Sequence, residues 1–371
     1  MTHTRVVVAM SGGVDSSVAA ALLVQQGYEV IGVTMQLWPK ELCGTDVPAK
    51  SCCSLRDADD ARSVAATLGI PFYVLNLQEA FATHVIDYFV DTYAQGLTPN
   101  PCTACNDHIK FGSLMKQALA LDANAVATGH YARVGFDEVR RRYVLRQGRD
   151  LTKDQSYVLF GLTQSQLARA IFPLGEYEKS QVRAIARAWG FVTADKPDSQ
   201  EICFIRDGDK NGFLRRRLPQ HAVPGPIVNT RGDVLGAHAG LLGFTIGQRE
   251  GLGVASAQRL YVIGMDVEQN RLIVGTREEL EQRSLVARDL NWIAIERPDV
   301  GWRVQAKIRS RAPKADAVIS AVHDEAITVT FDEPQPAIAP GQAVVLYDDN
   351  AVLGGGWIAS VPAFAEAMTI V

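Results

Sequence analysis

The sequence predicts an open, mostly parallel α/β sheet with helices on both faces, followed by two small β-barrels. Three observations carry this reading. Short β-branched runs alternate with helical patterns through the first part of the chain; a turn rich in glycine and serine joins the first run to its helix; and from Gly208 onward glycines and prolines punctuate short strands instead. The first texture builds parallel sheets that bind ligands beyond the carboxyl ends of their strands. The second builds barrels.

Arg5 to Ala9 is a continuous apolar run, as in a buried parallel strand, and Ser16 to Gln26 carries Val18, Leu22 and Leu23 on one helical face before closing at Gly27. Glu29 to Met35, Phe72 to Leu75 and Ala123 to Thr128 read as further strands; Asp57 to Leu68, Phe81 to Tyr93 and a segment from near Phe111 read as helices. Two long interruptions, Gln36 to Ser54 and Gly96 to Lys110, both contain cysteines. Gln164 to Ile171 and Lys179 to Trp189 are candidate helices. In the last part, strands are expected at Leu260 to Met265, Leu272 to Gly275, Arg303 to Ile308, Ala326 to Phe331 and Ala343 to Tyr347. The expected domains are 1–207, 208–282 and 283–371, with the second boundary in the polar stretch Glu278 to Leu285.

The joining turn is Met10-Ser11-Gly12-Gly13-Val14-Asp15-Ser16-Ser17. Adjacent glycines let the backbone approach a ligand closely, and N–H groups at a helix N-terminus favour an anion. Ser11, Ser16 and Ser17 add hydroxyls. A plain helix cap also uses Ser and Asp, but does not require Gly-Gly behind a buried strand. The turn is neither a Walker A loop nor a Gly-x-Gly-x-x-Gly fingerprint. Asp15 has two readings, orienting Mg²⁺ or capping the helix.

The whole chain sets bounds. Its 371 residues, 47% of them hydrophobic, suffice for two or three cores, and no apolar stretch is long enough to span a membrane as a helix. A cytoplasmic location is the expectation. Six cysteines in so long a chain do not make a disulfide scaffold. A formal net charge of −4 argues against bulk polyanion binding, so any RNA contact must use local patches.

The turn resembles the Ser-Gly-Gly-x-Asp-Ser/Thr signature of the PP-loop ATP pyrophosphatases, which implies cleavage of ATP between its α- and β-phosphates and an adenylated substrate. Further motifs narrow this: Asn100-Pro101-Cys102-Thr103-Ala104-Cys105-Asn106, Gly129-His130-Tyr131-Ala132, Lys153-Asp154-Gln155-Ser156-Tyr157, Asp198 to Phe204, Phe244 to Arg249 and Gly341-Gln342. In this order and over essentially the full length, they resemble the tRNA-specific 2-thiouridylases, which place sulfur on C2 of the wobble uridine. The resemblance implies a PP-loop, adenine nucleotide alpha hydrolase-like first domain. It puts ATP, with Mg²⁺, at Ala9, Met10, Ser11, Gly12, Gly13, Val14, Asp15, Ser16, Met35 and Gly129. It makes Cys203 the persulfide carrier and Cys105 the helper that releases the sulfur, leaving a Cys105–Cys203 disulfide. The target base would meet Asn100, Pro101 and Cys102; other tRNA contacts would be His130, Lys153, Asp154, Gln155, Arg309, Ser310 and Gln342. The partners implied are the anticodon loops of glutamate, glutamine and lysine tRNAs, and a cysteine desulfurase or sulfur relay protein as donor. No membrane partner is expected.

One position departs from the common family pattern, which has aspartate where this chain has Cys102. An acid/base role for that aspartate does not carry over, because a thiol of reference pKa ~8.5 replaces a carboxyl of ~3.9. The extra thiol also opens a second chemistry, a [4Fe–4S] cluster held by Cys102, Cys105 and Cys203. Buried inert thiols remain the bland alternative, and Cys203 between Ile202 and Phe204 reads as core on pattern alone. Cys43, Cys52 and Cys53 read as structural or incidental.

Lys307, Arg309 and Arg311, at alternate positions, are expected on one face of a strand, joined by Arg215, Arg216 and Arg217 in a patch for tRNA phosphate. The rival readings are another PP-loop enzyme adenylating a small acid or amide, which leaves the cysteines without work, and an RNA-binding module with an inert nucleotide fold, for which an intact Gly-Gly turn is unexpected.

Overall fold

The computed structural model describes residues 4–38, 55–198, 202–205 and 208–361. Cys43, Cys52 and Cys53 lie outside the described residues, as do Ser199, Gln200 and Glu201 of the third cysteine motif. The strands of the first domain are β1 (Arg5–Ala9), β2 (Glu29–Gln36), β3 (Phe72–Asn76), β4 (Ala125–Ala127), a hairpin of β5 (Ala132–Asp137) and β6 (Arg142–Gln147), and β7 (Ala170–Ile171). Five of them form one parallel sheet in the order β3–β2–β1–β4–β7. The sheet grows to one side of β1 and then to the other. The crevice beyond the carboxyl ends of β1 and β4 is therefore its topological switch point, where such sheets bind ligands.

Alternation along β1 sorts its side chains between two cores. Val6 and Val8 pack with helices α1 (Val14–Gln25), α2 (Leu55–Leu68) and α3 (Lys179–Ala188), whereas Val7 and Ala9 lie under the helical stretches 78–94 and 101–120. Both faces of the sheet are thus covered. Small side chains let α1 settle deep: Ala19, Ala20 and Ala21 are fully buried, so the helix is enclosed by more than the single face expected.

Two expectations are corrected here. The Gly96 to Lys110 interruption is mostly helix: Asn100 caps a turn that opens on Pro101, and the chain stays helical to Ala120, π-wound from Cys105 to Leu114. Proline punctuates loops, but it is also favoured at a helix's first position. Gln164 to Ile171 is not one helix. Thr163 and Gln166 form a capping box for a single turn, Gln164–Leu167, and Ala170–Ile171 is then captured as β7 by pairing with Val126 and Ala127.

The middle segment forms a four-stranded sheet from β8 (Gly225–Val228), β9 (Val234–His238), β10 (Tyr261–Asp266) and β11 (Arg271–Gly275), in the order β10–β11–β8–β9. The polar 278–285 stretch is structured: a turn of helix, Arg277–Leu280, runs directly into the next strand. Strands β12 (Glu281–Trp292), β13 (Arg303–Lys307), β14 (Ala315–Val322), β15 (Ala326–Pro336), β16 (Ala343–Asp348) and β17 (Ala351–Ser360) close into a six-stranded barrel, because β12 pairs with both β15 and β17.

The barrel is fused to the first domain. β6 adds to its sheet through the pairing of Arg146 with Ala351, and Ala343, Val345, Tyr347 and Val352 share a core with Phe111, Tyr157 and Phe160. The Tyr157 hydroxyl donates to the Ala343 carbonyl at 2.9 Å, and Asn291 Nδ2 donates to the carbonyls of Phe160 and Leu162 at 2.6 and 3.0 Å. No helix among the described residues is long and apolar enough to cross a membrane.

Asn291→Ala leaves two carbonyls between buried side chains without their donor. We expect it to cost about 1–3 kcal/mol, read as a lower urea midpoint; an unchanged midpoint would show that this junction does not limit stability.

Candidate active site

The turn after β1 is shaped by backbone. Met10 N–H donates to the Val33 carbonyl at 2.8 Å, and Thr34 Oγ1 donates to the Met10 carbonyl at 2.7 Å, locking the strand end to β2. Gly12 has φ +71°, and a Cβ there would lie 2.2 Å from the Asp57 carbonyl oxygen of α2. Only glycine meets both demands. Gly13 then caps α1 with an extended backbone. Ser16 Oγ accepts from Ser11 N–H at 3.1 Å and donates to the Gly13 carbonyl at 3.1 Å. Ser17 departs from expectation: it is fully buried, its hydroxyl donating to Gly13 O and accepting from Thr193 Oγ1. It braces the turn from behind rather than facing a ligand.

Gly129, just past β4, lies against the start of α1, where a Cβ would come within 2.8 Å of the Asp15 and Ser16 backbone. Met35 sits half-buried near the carboxyl end of β2. Ala9 to Ser16, Met35 and Gly129 therefore gather at the switch point. The first N–H groups of α1 have no acceptor within their own helix. This cradle fits the phosphates of a nucleotide.

Asp15 does not cap the helix with its side chain. Its two oxygens lie 2.8 Å from Lys179 Nζ, and Oδ1 also accepts from the Tyr131 hydroxyl at 2.7 Å. Lys179 also pairs with Asp198 at 2.7 Å, and Asp198 collects Lys153 at 2.8 Å and Arg183 at 3.1 Å. Burial pushes the Asp198 carboxyl up, but the hydrogen bonds from Lys153 and Lys179 outweigh it and hold the group below the usual carboxylate range.

The cysteine helix is tied to this turn. Asn106 Nδ2 donates to the Val158 carbonyl, Lys110 Nζ donates to Asn106 Oδ1 at 3.0 Å, and the same ammonium lies 3.4 Å from His130 Nε2. Burial, reinforced by the Lys110 charge, pushes the His130 imidazole well below its ordinary value. His130 is therefore neutral, and with Nε2 facing a cation its proton sits on Nδ1, directed at Thr128 Oγ1 2.6 Å away. Cys102 is exposed on the first turn, Cys105 half-buried one turn on. Cys203 is half-buried beside Phe204, whose ring packs edge-on against Phe81 and Phe89. Cys105 and Cys203 both pack against the large core of the first domain. Among the described residues no three His, Cys, Asp or Glu side chains are grouped to hold a metal ion.

Several expected tRNA contacts are engaged internally. The Asp154 carboxylate accepts from Gln147 Nε2, from the N–H groups of Gly148 and Ser156, and from the Ser156 hydroxyl. Gln155 pairs with the Tyr131 backbone in both directions. Asn100 Oδ1 accepts from Thr103 N–H, and Gln342 Nε2 reaches from the barrel to the carbonyls of Thr98 and Pro99 at 3.1 and 2.9 Å. Gln342 thereby holds the entry to the Asn100-Pro101-Cys102 turn. The expected row of Lys307, Arg309 and Arg311 is not on one strand face. β13 ends at Lys307, which is buried, and the chain turns before Arg309. Arg309 donates to the carbonyls of Ile246 and Ala337, clamping the middle domain to the barrel, while Ser310 and Arg311 are exposed. Arg215, Arg216 and Arg217 are exposed at the end of the helix Lys210–Arg217.

Sequence reasoning missed Lys179, Arg183 and Lys196. Lys179 carried a signal: a cation at the first position of a helix opposes the helix dipole and calls for an anionic partner from elsewhere.

Matches to known proteins agree with this arrangement. Residues 4–207 match the family described as the tRNA methyl transferase HUP domain, residues 211–276 the tRNA methyl transferase PRC-barrel domain, and residues 282–358 the aminomethyltransferase beta-barrel domain. The tRNA-specific 2-thiouridylase MnmA of Symbiobacterium thermophilum is 54% identical over 95% of this chain and 92% of its own length. The chain belongs to the tRNA-specific 2-thiouridylase family. The Moorella thermoacetica member is 52% identical over 95% of this chain and 99% of its own, and that of Acetivibrio thermocellus 48% over 96% and 100%. Among solved structures, a 4-thiouridine synthetase–RNA complex with bound ATP aligns over 58% of this chain and 51% of its own at 17% identity, with a TM-score of 0.36.

Asp107, next but one to Cys105, is a position the family motifs did not single out. Its Oδ1 is shut from solvent without a hydrogen-bond partner, and burial pushes the carboxyl from 3.8 up to about 7. The folded chain thus keeps a proton that the unfolded chain releases, so stability falls as pH rises from about 4 to about 7 and is level above. Asp107→Asn removes the charge and keeps the shape. The variant should equal the native chain near pH 4 and exceed it at pH 8 by more than about 1 kcal/mol, measured by urea denaturation; a less stable variant at pH 8 would mean the carboxylate is held ionised.

Gly12→Ala meets the Asp57 carbonyl and a left-handed backbone together. We expect a loss of nucleotide affinity of at least about tenfold, or about 1.4 kcal/mol, measured by equilibrium dialysis against ATP; native affinity in the variant would remove this turn from the site.

Proposed function

We propose that this enzyme uses ATP to replace the C2 oxygen of the wobble uridine of tRNA with sulfur. The carrying observation is convergence on the switch-point turn. One cysteine segment reaches it through Asn106, Lys110 and His130, beside Gly129; the other reaches it through Asp198 and Lys179, beside Asp15. This convergence supports a reading in which phosphate chemistry and thiol chemistry share one crevice.

The steps follow from the residue types. The uridine C2 oxygen attacks the α-phosphorus of ATP, and pyrophosphate leaves into the N–H groups of α1. Mg²⁺ would enter with ATP as its counter-ion. Adenylation turns a poor leaving group into AMP. Cys203 carries a persulfide; the Cys105 thiolate attacks the Cys203 sulfur, forming a Cys105–Cys203 disulfide and releasing hydrosulfide. Hydrosulfide adds to C2, AMP departs, and one proton is lost, giving the thiocarbonyl. The disulfide must be reduced and Cys203 reloaded by a cysteine desulfurase or sulfur relay protein before the next turnover. The catalytic assignment of Cys105 and Cys203 rests on the family motifs and on their shared core.

A wobble base lies in a single-stranded loop and is splayed out at small unstacking cost. Asn100, Pro101 and Cys102 would receive it, at a turn that Gln342 steadies from the barrel. The phosphate contacts fall to Ser310 and Arg311 with Arg309 behind them, and to Lys153 nearer the catalytic crevice; His130, Asp154 and Gln155 would shape the tRNA site from within. The tRNAs for glutamate, glutamine and lysine are the expected substrates.

Pyrophosphate release should be strictly dependent on unmodified tRNA. Cys203→Ser and Cys105→Ser should each retain this release and lose at least about a hundredfold in 2-thiouridine formation, followed by nucleoside mass spectrometry. Release driven by a small acid or amide without tRNA would favour a synthetase instead, and undiminished thiolation in either variant would remove that cysteine from the reaction.

A further inference from the structure

Lys179 opens α3 without an acidic residue in that first turn to offset it. Its counter-charges come from outside the helix. The ammonium is 2.8 Å from both Asp15 oxygens and 2.7 Å from Asp198 Oδ1, with only 12% of its side chain exposed, and it also lies over the Tyr131 ring. One cation thus joins two functionally different pieces of chain. Asp15 belongs to the first turn of α1, inside the nucleotide turn; Asp198 precedes Cys203 on the segment that carries it.

A second lysine repeats the link. Lys196 Nζ donates to the Gly12 carbonyl at 2.8 Å, to Asp57 Oδ1 at 2.5 Å and to Asp60 Oδ2 at 2.6 Å. The stretch just before Cys203 is therefore strapped to the nucleotide turn at Gly12 and, through Lys179, at Asp15. Around the Asp15–Lys179–Asp198 bridge, Lys153, Lys179 and Arg183 face Asp15 and Asp198, and Asp150 accepts from the Lys179 backbone N–H at 3.0 Å. A polyphosphate seated on the N-terminus of α1 would bring further negative charge beside Lys179 and compete with Asp198 for it.

We propose that Lys179 is a positioning residue that couples occupancy of the nucleotide turn to the reactivity of Cys203. With the turn filled, the ammonium moves onto the phosphates, its bond to Asp198 is given up, and the Cys203 segment is released from the turn. Sulfur is then presented once ATP is in place. Linkage makes the effect mutual: whatever factor nucleotide applies to the released state of this segment, release applies to nucleotide affinity. The inference rests on the turn being an ATP site.

The test reads Cys203 directly in the full chain. Its rate of alkylation by iodoacetamide is followed by peptide mass mapping, with and without a non-hydrolysable ATP analogue, while binding of the analogue is measured separately by equilibrium dialysis. In the native enzyme the analogue should raise the Cys203 rate by about fivefold or more, the lower end of ordinary coupling. In Lys179→Gln the rate should be the same with and without a saturating analogue, and Lys179→Arg should restore the response. Should Lys179→Gln no longer bind the analogue, Asp198→Asn cuts the other end of the bridge, and its Cys203 rate should likewise ignore nucleotide. A native Cys203 rate that is indifferent to bound analogue, or lowered by it, overturns the proposal, as does a full response in a variant that binds. If the native chain does not bind the analogue at all, the ATP reading fails and this inference with it.

Discussion

The N-terminus of α1 cannot satisfy its own first N–H groups, and the fold is arranged so that they open on the crevice where the sheet reverses direction. Gly12 lets the turn pass under the Asp57 carbonyl, Gly129 lets the β4 loop close on the start of the helix, and Ser16 and Ser17 tie the turn to itself. The resulting donor cluster is an anion site built before any anion arrives. Electrostatic preorganisation of this kind needs no rearrangement when charge develops on a leaving pyrophosphate. The chemistry assigned to the cysteines gains from it only because both of their segments are fastened to the same turn.

Much of the first domain was legible because its signals are local. Val6 to Ala9 and the Gly-Gly turn announce a strand, a turn and a helix from composition alone, and the alternation of runs fixes a parallel sheet. What escaped were features set by distant partners. Ala170–Ile171 is a strand only because β4 offers an edge, and the β5–β6 hairpin is joined to the barrel through Arg146 and Ala351. Arg309 looked like part of a basic row, yet β13 stops at Lys307 and the guanidinium is spent on two carbonyls.

The candidate site shows the same division. Residue types nominate groups for chemistry; they do not tell which of them are already engaged within the fold. Asp154, Gln155 and Gln342 are held within the protein by hydrogen bonds that fix their loops. Asp15 illustrates the limit most plainly, since its partner Lys179 is far along the chain and no spacing rule connects them. Only the opposition between a cation and the start of its own helix hinted that such a partner was needed.

The shared core between the first domain and the barrel bears on how the chain is made. Phe111, Tyr157 and Phe160 emerge from the ribosome well before Ala343, Val345 and Tyr347, which cover them in the finished fold. Until β16 is synthesised, an aromatic surface of the catalytic half stands open to water, and such surfaces in nascent chains are prone to aggregate. The last barrel therefore acts as an intramolecular lid on folding: a chain truncated before it would leave part of the first domain's core uncovered.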